Sequence, residues 1–240
     1  MDTSLNTLRV AITGGTSGLG LALVKALRRR GAQVAFVARD ATRVAAVARQ
    51  IEGSHGIAGD VSWKLETHAL AIQISAALGG LDVLVNNASS LGPVPLAPLA
   101  DTDCEDLEAA LATNLIGPFR LTKALLGALS AAAREGRPAL VVNITSDAAV
   151  NAYAGWGAYG ASKAALLHLS RIWDEELREH GVRVIAVDPG DMDTPLHALA
   201  VPDADPRSLR RPEDAAQALV ARIVETLAEA RAHAPERAHA

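Results

Sequence analysis

Cysteine is almost absent from this chain. Cys104 stands alone among 240 residues, which excludes an internal disulfide and any thiolate metal cluster. It lies in the acidic run Asp101–Asp106, which gives a thiol no help to ionise. Aromatic residues make up only 3% of the chain although 50% of it is hydrophobic, so Ala, Val, Leu and Ile must build the core. No apolar run reaches the length of a membrane span, and Met1–Thr7 lacks the charged and apolar regions of a secretory signal. The expectation is a cytoplasmic protein without a membrane partner. A net charge of −4 gives no basis for binding nucleic acid. The seven histidines show no ligand spacing such as HExxH, so no metal is expected.

What is present alternates. Leu8–Ile12 reads as a buried strand, followed by Thr13-Gly14-Gly15-Thr16-Ser17-Gly18-Leu19-Gly20 and a helical pattern over Leu21–Arg30, with Gly31 at its C-terminal end. Strand, glycine turn and helix N-terminus make an anion site, because glycines let the backbone approach and free N–H groups point at phosphate. Further strands are expected at Gln33–Ala38, Gly56–Val61, Leu81–Val85, Ala139–Ile144 and Val182–Val187. Ser62 is a candidate cap for the helix after the third strand. A long helical region runs from Thr102 to Ala133 with Gly117-Pro118 inside it, and proline there predicts a kink near Asn114. Another helix covers Gly157 to about Glu179, and a last one starts near Pro212. Strands alternating with helices predict one α/β domain over 1–231, a doubly wound parallel sheet of about six strands in the order 3-2-1-4-5-6, with 232–240 as a frayed tail.

At the end of the second strand a nucleotide ribose should lie, and an acidic residue there would bond a 2′-hydroxyl. This chain has Ala38, then Arg39, with Arg43 four residues on. Two guanidinium groups suit a 2′-phosphate; the alternative is an exposed pair bridged to Asp40 or Glu52. Tyr159 and Lys163 are one helical turn apart on one face. An ammonium favours a neighbouring phenolate, so the pair is a candidate acid/base unit with Ser146 beside it, although a YxxxK spacing also occurs on plain solvated helices.

Taken together, these segments resemble a short-chain dehydrogenase/reductase from about Leu8 to Thr194. TGGTSGLG is similar to the family's TGxxxGxG, with Gly14, Gly18 and Gly20 in place and Thr16, Ser17 and Leu19 between them. Asp60-Val61 matches its adenine-contacting pair, and Asn86-Asn87-Ala88 its NNAG, with Ser89 in place of the glycine. Asn114 sits at the family's catalytic Asn, Ser146 at its serine, Tyr159 and Lys163 at its YxxxK. Pro189, Gly190, Met192 and Thr194 fall in the loop that holds the nicotinamide.

The resemblance implies hydride transfer between NADP(H) and a ketone or aldehyde. Tyr159 would act as general acid/base, Lys163 would lower its pKa and hold the ribose, Ser146 would bond the substrate oxygen, and Asn114 would position a water. An NAD-dependent alcohol dehydrogenase is the alternative, and a non-catalytic NADPH-sensing regulator a third reading. Candidate substrate walls at Ser89–Pro95, Ala148–Trp156 and Met192–Pro202 suggest a mainly apolar pocket with few charges. The chain after Pro212 lacks the family's last strand, which serves a tetramer interface. A homodimer through helices 107–133 and 158–177 is therefore expected, with Trp173 and Leu166 as anchors.

Overall fold

The computed structural model describes residues 5–232. Its element order is β1 (Arg9–Thr13), α1 (Gly18–Arg29), β2 (Gln33–Ala38), α2 (Ala41–Gln50), β3 (Ser54–Ala58), α3 (Thr67–Leu78), β4 (Val83–Asn86), α4 (Cys104–Leu111), α5 (Gly117–Arg134), β5 (Leu140–Ile144), α6 (Gly157–Leu177), β6 (Arg183–Val187), α7 (Pro195–Ala200) and α8 (Pro212–Ala232). The six strands form one parallel sheet in the order β3-β2-β1-β4-β5-β6. Helices cover both faces, so the central strands β1, β2, β4 and β5 read as nearly unbroken apolar runs rather than alternating ones.

On one face α1 and α8 lock together over β1, β2, β4 and β5, with Leu23, Leu27, Ala216, Leu219 and Ile223 among the buried contacts. On the other, α3 and α5 bring Leu70, Ile74, Leu121, Leu125 and Leu129 against Ala11, Val37, Leu84 and Val141. Burying a leucine of this kind stabilises by about 1.5–3 kcal/mol. At the bottom edge of the sheet Asp82 is fully buried and accepts from Arg9 Nη2 at 2.7 Å and Arg137 Nη2 at 2.6 Å. That clamp ties β1 and β4 to the segment entering β5, and breaking such a pair leaves a buried charge at a cost of about 3–5 kcal/mol.

Several boundaries differ from the sequence reading. β3 ends at Ala58, because the chain then turns: Asp60 N–H donates to Glu66 Oε2 at 2.6 Å. Ser62 does not cap α3. Its N–H and hydroxyl both donate to Asp60 Oδ1, and Glu66 holds the cap position instead. The long helical region is divided into α4, a π-helical turn over Ala112–Ile116, and α5. Pro118 has no N–H to give the carbonyl four residues back, on Asn114, and Gly117 N–H reaches to Ala112 O, one residue beyond the usual α-helical partner. Leu166 is only 2% exposed within this chain, so it belongs to the chain's own interior and cannot anchor a partner. Apart from Ala232, which closes α8, the tail expected at 232–240 lies outside the described residues.

Candidate active site

The C-terminal ends of β1, β4, β5 and β6 open on a cleft of about 800 Å³, across the point where the strand order reverses between β1 and β4. Open α/β sheets bind ligands in that crevice. At one end lies the glycine turn. Gly14 and Gly15 donate to Val37 O at 2.8 and 3.2 Å, which folds the turn back against β2. Gly18 opens α1 at φ +48°, in the left-handed region, and a Cβ on Gly20 would collide with the Gly14 carbonyl oxygen. Ser17 occupies the N-cap of α1 without a side-chain bond to the helix, so the first-turn N–H groups keep their capacity for an anion.

Arg39 and Arg43 are exposed and line the same cleft. The expected alternative, a bridge to Asp40 or Glu52, is absent among the described residues. Asp40 instead caps α2, its Oδ1 accepting from Thr42 N–H at 2.9 Å and Arg43 N–H at 3.0 Å. Thr16, Ser17, Leu19, Asp60, Val61, Asn87 and Ala88 line the cleft too, as do Pro189, Gly190, Met192 and Thr194. Asn87 is pinned to β1, its Nδ2 donating to Thr13 O at 2.9 Å while its N–H donates to Thr13 Oγ1 at 2.9 Å. Thr194 caps α7 by accepting from His197 N–H at 3.2 Å.

Ser146, Tyr159 and Lys163 meet in the middle. β5 ends at Ile144, Ser146 caps the short turn after it, and α6 brings the other two to the floor of the cleft. Tyr159 is 8% exposed and Lys163 2%. Lys163 donates to Ile144 O at 2.8 Å, and its ammonium lies 5.4 Å from the Tyr159 ring centroid. Burial pushes the Tyr159 phenol up from its ordinary pKa, with the hydroxyls of Ser146 and Ser89 beside it pulling the other way. Desolvation is the largest of these effects and sets the net direction. Burial also brings Lys163 down to about 8, with Asp188 pulling it back up. Both groups are thus moved toward their neutral forms.

Asn114 is fully buried in the π turn and its side chain is fully engaged. Oδ1 accepts from Ser90 N–H at 2.8 Å and from the Ser89 hydroxyl at 3.1 Å, while Nδ2 donates to Ser90 O at 2.7 Å and Ser162 Oγ at 2.8 Å. Ser162 in turn donates to Tyr159 O at 2.6 Å. The amide therefore fastens the loop after β4 to α6 beneath the tyrosine, rather than meeting backbone groups freed in its own helix. Ser162 and the contact between Ser89 and Tyr159 were not legible beforehand; the only signal was that Ser89 stands where a glycine was expected.

The substrate side is more polar than the sequence suggested. Leu91, Val94, Trp156 and Leu196 are there, but so are Asp147, Asp188 and Asp191. Burial and spacing could not reveal these acids, because they lie on loops after strands.

The short chain dehydrogenase family profile matches residues 9–205. The chain is 32% identical to L-fucose dehydrogenase of Mus musculus over 83% of its own length and 71% of that protein. The structure of 3-ketoacyl-(acyl-carrier-protein) reductase from Brucella melitensis, solved with NADH, superposes with a TM-score of 0.84 at 27% identity, covering 90% of both chains. Alcohol dehydrogenase from Thermococcus sibiricus, solved with 5-hydroxy-NADP, gives 0.79 at 26% identity, covering 90% of this chain and 91% of that one. With its cleft at the strand-order reversal and Tyr159 over Lys163 on its floor, this chain belongs to the short-chain dehydrogenase family of oxidoreductases.

Proposed function

We propose that the protein is an NADP(H)-dependent reductase of ketones or aldehydes, with Tyr159 as the general acid. The observation that carries the cofactor choice is the pair Arg39 and Arg43: two exposed guanidinium groups on the cleft wall without ion-pair partners among the described residues, where an acid would select the 2′-hydroxyl instead. The glycine turn and the open first turn of α1 fit a pyrophosphate. A nicotinamide bound along this cleft supplies the hydride.

The chain's own residues do the rest. A substrate oxygen placed over Tyr159 meets a neutral phenol able to donate a proton, and the Ser146 hydroxyl helps to hold that oxygen. Lys163 keeps an ammonium below the ring and supplies positive charge as the phenolate forms. Asn114 holds Ser89, Ser90 and α6 in register, which fixes the tyrosine against the loop opposite. No helix among the described residues is long and apolar enough to cross a membrane. A cytoplasmic location is part of the proposal, resting on a chain with one exposed, free cysteine.

Purified protein should oxidise NADPH in the presence of a carbonyl panel, with kcat/KM about tenfold or more above that for NADH. Equal use of both cofactors would favour the NAD-dependent reading. Tight NADPH binding without turnover of any carbonyl or alcohol would favour a regulator.

A further inference from the structure

We propose that Asp147 selects substrates carrying a hydrogen-bond donor, a hydroxyl or an ammonium, on the carbon next to the reacting one. This rests on the reductase reading above. Asp147 follows Ser146 directly and lines the cleft on the substrate side. Its Oδ1 accepts from Ser146 Oγ at 3.0 Å, and its Oδ2 accepts from the Tyr153 hydroxyl at 2.7 Å. The carboxylate is thus held from both ends, and the hydrogen bond from Tyr153 is the chief reason its pKa lies below the usual carboxylate value. A carboxylate oxygen accepts more than one hydrogen bond, so each keeps capacity for a ligand.

The geometry sets what that ligand is. When Ser146 and Tyr159 hold the reacting oxygen, the single Ser146 proton turns from Oδ1 to that oxygen, and Oδ1, one hydrogen-bond length from Ser146 Oγ, is left open to a donor. Two neighbouring oxygens of a vicinal diol or α-hydroxyketone are separated by about the length of a hydrogen bond. A substrate seated on Ser146 therefore presents the substituent of its next carbon to Asp147. A donor there replaces the water that the carboxylate loses, whereas a plain methylene leaves an ionised group short of a partner. An anionic substituent meets a like charge, reinforced by Asp188 and Asp191 on the same side.

Asp147 also begins the turn Asp147–Ala149, so a purely structural role has to be separated. Ser146 Oγ caps that turn by accepting from Ala148 N–H at 3.2 Å, and the Asp147 carboxylate draws on the same N–H, a contact that an asparagine oxygen can keep. The test compares acetophenone, α-hydroxyacetophenone, α-aminoacetophenone and phenylglyoxylate, which share one skeleton, as substrates with NADPH. Wild type should prefer the hydroxy and amino ketones over acetophenone by ten- to a hundredfold in kcat/KM, with phenylglyoxylate slowest. In Asp147→Ala the preference should fall to within about twofold, and in Asp147→Asn, which keeps partners for Ser146 and Tyr153, the ammonium preference should vanish while part of the hydroxyl preference stays. Unchanged NADPH binding by fluorescence confirms that the variants are folded. If both variants slow all four compounds equally, Asp147 is structural and the proposal is overturned. Wild-type turnover of acetophenone and its hydroxy analogue at equal efficiency overturns it as well but leaves the reductase reading intact. Failure of every carbonyl compound, here and in a wider panel, removes both.

Discussion

The Lys163 ammonium donates to the Ile144 carbonyl at 2.8 Å and sits 5.4 Å from the centroid of the Tyr159 ring. It therefore acts on the phenol through space, from beneath, rather than by a hydrogen bond to its oxygen. The position suits a group that stabilises a phenolate formed during turnover, while the buried resting tyrosine stays protonated and ready to donate.

Tyr159→Phe removes the donor and none of the cofactor contacts. The expected outcome is a loss of kcat by a thousandfold or more, about 4 kcal/mol or more of transition-state stabilisation, with NADPH affinity nearly unchanged by fluorescence titration. A variant retaining a tenth of wild-type kcat, a loss of only about 1.4 kcal/mol, would show that another group protonates the product.

Lys163 also leaves a signature in stability. Its folded pKa of about 8 lies below the ordinary 10.5, so the unfolded chain binds more protons between those values and stability rises with pH across that window. Below pH 8 the buried ammonium imposes its whole penalty, roughly 3 kcal/mol; the penalty is relieved as pH climbs toward 10.5. The stability of wild type minus that of Lys163→Met should therefore increase by about 2 kcal/mol between pH 7.5 and 10 in urea titrations. A difference that stays flat with pH would mean that Lys163 is not desolvated as described.

Arg39→Ala should raise the KM for NADPH by ten- to a hundredfold and leave that for NADH nearly unchanged, since a charge-assisted contact of this kind is lost only where the 2′-phosphate exists. Because Arg39 is exposed, the NADPH effect should shrink as salt is added. An equal change with both cofactors would reduce Arg39 to a solvated surface residue.

The fold was legible because its signals are local: apolar β-branched runs such as Val10–Ile12 and Val141–Ile144, glycine at helix ends, and Pro118 after Asn114. The strand order 3-2-1-4-5-6 expected of a doubly wound sheet stands in the structure. What escaped was set by contacts distant in sequence. Nothing around Asn114 shows that Ser90 and Ser162 consume its amide; the loss of the Ser62 cap is the local exception, because Asp60, two residues earlier, takes its N–H and hydroxyl. That burial sets the net direction of the Tyr159 pKa is not readable from the YxxxK spacing. Asp147 carries no signal in the sequence beyond its place after Ser146, and one residue of register decides whether a carboxylate faces the ligand or the solvent.

Assembly provides the last prediction, a homodimer through the outer faces of α5 and α6, which we propose on the apolar stripe they carry. Phe119 of α5 and Trp173 of α6 meet ring to ring at 5.8 Å, both partly exposed. Ala165, Leu169 and Ile172 extend the α6 stripe at helical spacing, and Ile172 is 43% exposed. An isologous pair is the commonest way to cover such a stripe, and with Leu166 engaged inside its own chain, Trp173 and Ile172 become the anchors. Sedimentation at micromolar concentration should give twice the chain mass for wild type, and Ile172→Glu should shift it to monomer without loss of fold, because a side chain this exposed supports little within one chain. A wild-type monomer would end the proposal. A tetramer that Ile172→Glu leaves whole would place the contacts elsewhere, on a surface that includes the segment after Pro212.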